Sequence, residues 1–126
     1  MTDASILLII EDHKDFREAI HRFLELSNIG IHIMEACSGE EGVLIAKKVK
    51  PKIVVTDFLL GGINGIEAAK QIKQDNPECK IIMLTMFDPK EVTHMGGRDK
   101  SISTFISKSD IYEELVPAID KSLRNN

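Results

Sequence analysis

Five residues suited to handling a charged group each stand at the end of a short apolar run. Glu11 and Asp12 follow Ile6–Ile10, Asp57 closes the run from Ile53, Thr85 follows Ile81–Leu84, and Lys108 follows Thr104–Ser107. Two carboxylates about 4 Å apart repel by roughly 4 kcal/mol at an effective dielectric of 20, so three on one edge call for a cation. Oxygen ligands with no cysteine or histidine among them suit magnesium, a hard ion. Beside such an ion an ionised carboxylate is a competent nucleophile toward phosphorus and yields an acyl phosphate. That reaction needs positioning and charge neutralisation more than a base. Asp57 is then the nucleophile, Glu11 and Asp12 are its metal-binding neighbours, Lys108 is a point charge, and Thr85 donates a hydrogen bond to a phosphoryl oxygen.

Each residue also has a plainer reading. Asp12 could simply cap the first helix, Lys108 could be a snorkelling surface lysine, and Thr85 could bond its own backbone. Singly those readings are ordinary. They lose force because all five residues fall in register at strand ends.

The elements that must position these groups are legible. Ile6–Ile10, Ile53–Thr56 and Ile81–Leu84 are continuously apolar, as strands covered on both faces must be. Ile31–Glu35 alternates, which predicts an edge strand with one wet face, and Thr104–Ser107 reads as the last strand. Phe16, Ala19, Ile20, Phe23 and Leu24 make one helical stripe; Ile66, Ala69 and Ile72 make a second; Ile111, Leu115 and Ile119 make a third. Ser38 with Glu41, Asn64 with Glu67, Asp88 with Glu91 and Asp110 with Glu113 each set a capping residue three positions before a glutamate. Pro89 takes a favoured first helical position, whereas Pro117 falls inside the last helical pattern and should kink that helix or delay its start. Met95 to Lys100 has no periodicity, which predicts a short fourth helix and a mobile exit loop.

Five strands alternating with five helices imply an α/β fold, a doubly wound parallel sheet with helices on both faces. In such sheets the site lies outside the carboxyl ends of the strands, where strand order reverses. The chain has 126 residues, enough for one domain. A formal charge of −4 without a basic cluster argues against a nucleic-acid face, the lysines from Lys47 to Lys52 reading as a solvated helix end. Cys37 and Cys79 lack metal or redox spacing and should stay reduced, and no signal peptide or membrane span is expected. These features predict a cytoplasmic protein. The four histidines, His13, His21, His32 and His94, suggest no ligand set, and His13 is expected to be solvated.

The chain from Ile6 to Leu123 resembles a two-component response-regulator receiver domain, of the type that also occurs alone in the chemotaxis regulator. The resemblance is carried by Glu11-Asp12, the run from Asp57 to Gly65, Thr85, and Phe105 three before Lys108. It implies a flavodoxin-like (βα)5 fold with strand order 2-1-3-4-5, spanning residues 1–126 as one receiver domain. It also implies phosphorylation of Asp57 by a histidine kinase or phosphotransfer protein, with Mg2+ held by Glu11, Asp12, Asp57 and the backbone carbonyl of Leu59. The signal would leave through Thr85 and Phe105, the aromatic ring rotating inward as the hydroxyl is drawn to phosphate. The changed surface, formed by the fourth helix, fifth strand and fifth helix, would control a partner protein or an output domain, and a homodimer through it is allowed. Such a domain is not an enzyme but a switch that assists its own phosphorylation and dephosphorylation.

The departures are specific. Gly61 stands where the family often has proline, and Ser109 follows Lys108 where many members have proline, so that peptide is expected trans. Leu59 and Phe87, two beyond Asp57 and Thr85, are apolar and cannot orient water, which predicts a long-lived phosphoryl form. Other readings are less favoured. An aspartate-nucleophile phosphatase would carry a second aspartate at position 59, and a flavodoxin-like cofactor binder would not place Glu11-Asp12 against a phosphate. The alternative kept open is a degenerate receiver acting as a phosphorylation-independent protein-binding module.

Overall fold

A computed structural model of the chain describes residues 5–88, 90–91 and 100–124. The strands are β1 (Ile6–Ile10), β2 (His32–Ala36), β3 (Ile53–Asp57), β4 (Lys80–Thr85) and β5 (Thr104–Ser107). They form one parallel sheet in the order β2-β1-β3-β4-β5. Helices α1 (Lys14–Leu26), α2 (Gly39–Val49), α3 (Gly65–Asp75) and α4 (Ile111–Arg124) connect or follow them, α4 being preceded by a 3-10 turn at Lys108–Asp110. Lys90 and Glu91 are helical; the rest of the stretch expected to form a short helix before β5, with Pro89, His94 and residues 95–99, lies outside the described residues.

Strand alternation sorts the core onto two faces. Leu7, Ile9, Ile53, Val55, Ile82 and Leu84 pack with Ile20 and Leu24 of α1 and with Ile111, Leu115 and Ile119 of α4. Leu8, Ile10, Val54 and Ile81 pack instead with Ala46 of α2 and with Ala69 and Ile72 of α3. Each fully buried leucine or isoleucine contributes roughly 1.5–3 kcal/mol of transfer free energy, so the sheet is fixed from both sides. The helical stripes were read correctly except at Ala19, which is exposed.

Two caps form as expected, with Ser38 and Asn64 accepting from the amides of Glu41 and Glu67 at 3.0 and 2.8 Å. The reciprocal arm of Glu41 reaches the Cys37 amide rather than its own cap. Asp88 accepts from Lys90 at 2.8 Å. Asp110 does not cap: it lies inside the 3-10 turn, whose N-cap is Ser107. Pro117 does not delay α4, which already starts at Ile111. Its ring is exposed, so the acceptor it strands can reach water while the buried stripe holds the helix. Strand β2 is at an edge as expected, but neither face is simply wet: Ile33 and Glu35 lie half-buried toward α1, and Met34 and Ala36 pack on the α2 side.

Candidate functional site

Strand register brings the predicted residues to one edge. Ile10 pairs with Thr56, Asp57 with Leu84, and Thr85 with Ser107, so Glu11, Asp57, Thr85 and Lys108 end their strands almost level. Gly65 lets α3 start close to β3: a Cβ there would stand 2.2 Å from the Asp57 carbonyl oxygen.

Lys108 joins the acids. Its ammonium lies 3.2 Å from Asp57 Oδ2 and 3.5 Å from Glu11 Oε1, and it sits over the Phe16 ring at 4.5 Å from the centroid. Glu11 is only 1% exposed. Its Oε2 accepts from the His13 amide at 3.1 Å, while Oε1 is buried with no hydrogen-bond partner among the described residues. Burial therefore holds the Glu11 carboxyl above the ordinary range, and Asp57 adds to this, against the pull of the His13 amide and Lys108. Asp57, 6% exposed, is also held high by burial, opposed by Lys108 and by the Leu59 amide. Asp12 at the rim moves the other way. Its slight burial is outweighed by the Gly61 amide, which donates to Oδ2 at 3.2 Å, with Glu11 and His13 assisting.

Glu11, Asp12 and His13 offer ligand atoms within 4.8 Å of one another. Asp57 is not one of that trio; Lys108 links it to Glu11. His13 is exposed, as expected, although its Nδ1 lies 3.7 and 3.8 Å from Glu11 and Asp12. The Thr85 hydroxyl is buried and accepts from the Phe87 amide at 2.9 Å, so in this state it bonds local backbone. Phe105 is partly buried against Phe58 and Met83, together with Phe87 and Ile102. Leu59 is 55% exposed and Phe87 half-buried, both near the mouth of the site. The Lys108–Ser109 peptide is trans.

Two contributors were not read from the sequence. Arg17 bonds the Glu11 carbonyl at 2.8 Å and Glu35 at 2.8 Å, and Phe16 lies under Lys108. The one available signal was that Arg17 flanks an apolar stripe while Glu35 shares its strand face with core positions.

An acidic pocket thus lies at the carboxyl edge of a doubly wound α/β sheet, with one lysine reaching two of its acids. Residues 7–120 match the family described as the response regulator receiver domain, and the chain belongs to that family. It is 31% identical over 119 residues to the response regulator protein VraR of Staphylococcus aureus, covering 94% of this chain and 56% of that protein. The chain thus spans about half the length of the curated relatives it matches. A LuxR-family two-component response regulator from Aurantimonas sp. SI85-9A1 superposes with a TM-score of 0.86 at 28% identity, covering 98% of this chain and 87% of that one. The chemotaxis response regulator CheY4 of Vibrio cholerae shares the fold, with a TM-score of 0.81 at 19% identity over 94% of this chain and 98% of that one. Among the described residues no helix is long and apolar enough to cross a membrane.

Proposed function

We propose that residues 1–126 form one phosphoacceptor unit in which Asp57 receives a phosphoryl group from a phosphohistidine of a kinase or phosphotransfer protein. The supporting observation is the Lys108 ammonium, 3.2 Å from Asp57 and 3.5 Å from Glu11, at a sheet edge where these buried carboxylates need a counter-charge. An Asp57 oxygen attacks phosphorus as the phosphorus–nitrogen bond of the donor breaks. The donor imidazole leaves with the electron pair, and the product is an acyl phosphate. Lys108 steadies the added charge, and the Thr85 hydroxyl exchanges its Phe87 bond for one to a phosphoryl oxygen. Phe105 then turns into the space beside Met83, altering the surface that β5 and α4 present to a partner or output domain.

The donor chemistry fits magnesium. Glu11, Asp12, Asp57 and the Leu59 carbonyl would hold it, the oxygens are hard, and Glu11 Oε1 is a buried acceptor without a hydrogen bond among the described residues. When bound, the ion neutralises charge on the acids and on the arriving phosphoryl oxygens. Incubation with acetyl phosphate and Mg2+ should add one phosphoryl group by intact mass, and Asp57→Asn should abolish the gain. No gain in the native chain would refute the reading and favour the phosphorylation-independent binding module.

A further inference from the structure

We propose that Arg17 is a positioning residue for the acidic loop: anchored on Glu35, it holds the Glu11 carbonyl and so sets where Glu11 and Asp12 present their carboxylates to a divalent cation. This rests on the reading of those two acids as magnesium ligands.

The geometry is that of a clamp. Arg17 Nε donates to Glu35 Oε1 at 2.8 Å, and Nη1 of the same guanidinium donates to the Glu11 carbonyl at 2.8 Å. The Arg17 side chain is 14% exposed, so the bonds are made with little competing water. Glu35 is itself fixed, its second oxygen bonded to His21 Nδ1 one helical turn along α1. The other main-chain group of Glu11 is held too, its amide donating to the Ala36 carbonyl at 3.1 Å. Both sides of residue 11 are thus pinned, one by β2 directly and one through Arg17. The remaining freedom lies in the carboxylate, of which one oxygen is taken by the His13 amide. A planar guanidinium can serve two acceptors in different directions at once, which a lysine ammonium on a flexible stem does poorly. Outer partners of this kind orient metal ligands, and their loss typically weakens metal affinity about 10- to 100-fold.

Charge alone predicts the opposite sign. Arg17 is a cation close to an acidic pocket, so removing it should draw a divalent ion in more tightly. Positioning predicts weaker binding. The double variant Arg17→Gln with Glu35→Gln removes one charge of each sign, leaving electrostatics nearly balanced while abolishing the clamp.

The test is titration of 15N-labelled protein with MgCl2, followed through the amide shifts of Asp12 and His13, with thermal melts of the same samples. The double variant should bind Mg2+ about 10-fold more weakly than the native chain. Arg17→Lys, which keeps the charge and the helix, should weaken binding in the same direction and decides the matter if the double variant does not fold. A lowered melting temperature with unchanged or tighter Mg2+ affinity would overturn the proposal while leaving the magnesium reading intact. Failure of the native chain to bind Mg2+ would overturn both.

Discussion

Replacing Lys108 by methionine removes a charge at nearly constant shape, and its effect can be worked from two distances. The ammonium lies 3.2 Å from Asp57 and 3.5 Å from Glu11. At an effective dielectric of 20, each separation corresponds to roughly 5 kcal/mol of gross attraction. Two effects limit what is lost. The ammonium's own desolvation cost, several kcal/mol, disappears with it. An acid with an ordinary pKa near 4 can also shed its charge at pH 7 for about 4 kcal/mol, and one proton shared by the pair relieves most of the strain. The expected net loss in metal-free buffer at pH 7 is therefore about 2–3 kcal/mol. The sign of the pH dependence follows from the carboxyls, which burial already holds above their ordinary values. Without the ammonium they rise further, so the native variant binds protons more tightly than its unfolded chain. Its stability is then greatest below the unfolded pKa and falls as pH rises through the folded one. At pH 5 the cost of protonation is only about 1.4 kcal/mol, and the deficit should shrink toward that ceiling. Urea unfolding followed by far-ultraviolet circular dichroism at the two pH values, with chelator, measures both numbers. A deficit of equal size at each would show that Lys108 is not the counter-ion of these acids.

Leu59→Asn with Phe87→Glu should shorten the life of the phosphoryl form, because both positions border the site without any group that orients water; intact mass against time after removal of acetyl phosphate reads this, and an unchanged decay would remove the apolar screen as its cause. Gly65→Ala should cost about 2–3 kcal/mol in urea unfolding, since its methyl would meet the Asp57 carbonyl oxygen at 2.2 Å and push α3 from β3. Burial pushes the Cys79 thiol up to about 12, whereas Cys37 is exposed, so mild iodoacetamide treatment of the folded chain should give one adduct, at Cys37. Two adducts would mean that the segment leading into β4 opens on the timescale of the reaction.

The sheet was readable because strands covered on both faces admit only apolar residues, and β1, β3 and β4 are almost uninterrupted runs of them. Positions at strand ends then followed from register, so Glu11, Asp57, Thr85 and Lys108 could be grouped without coordinates. What lay beyond reach was pairing across elements. Nothing in the spacing says that Arg17 turns back onto the Glu11 main chain, or that Glu35 on an edge strand meets α1 rather than solvent. The cap at Asp110 failed for a related reason: Ser107 sits three residues earlier and competes for the same turn, and local composition cannot rank the two. Asp57 and Asp12, both expected beside one ion, turn out to have opposite electrostatic characters: burial holds the first high, while at the rim the Gly61 amide, Glu11 and His13 together outweigh a slighter burial and hold the second low.

Gly61 has a consequence that its small size conceals. Its N–H donates to Asp12 Oδ2, stitching the loop that follows Asp57 to the loop that follows the first strand. An imino acid at that place has no hydrogen to give. A chain with proline there would have a stiffer hinge yet an untethered aspartate; this chain exchanges rigidity in the covalent backbone for a hydrogen-bonded stitch between two loops.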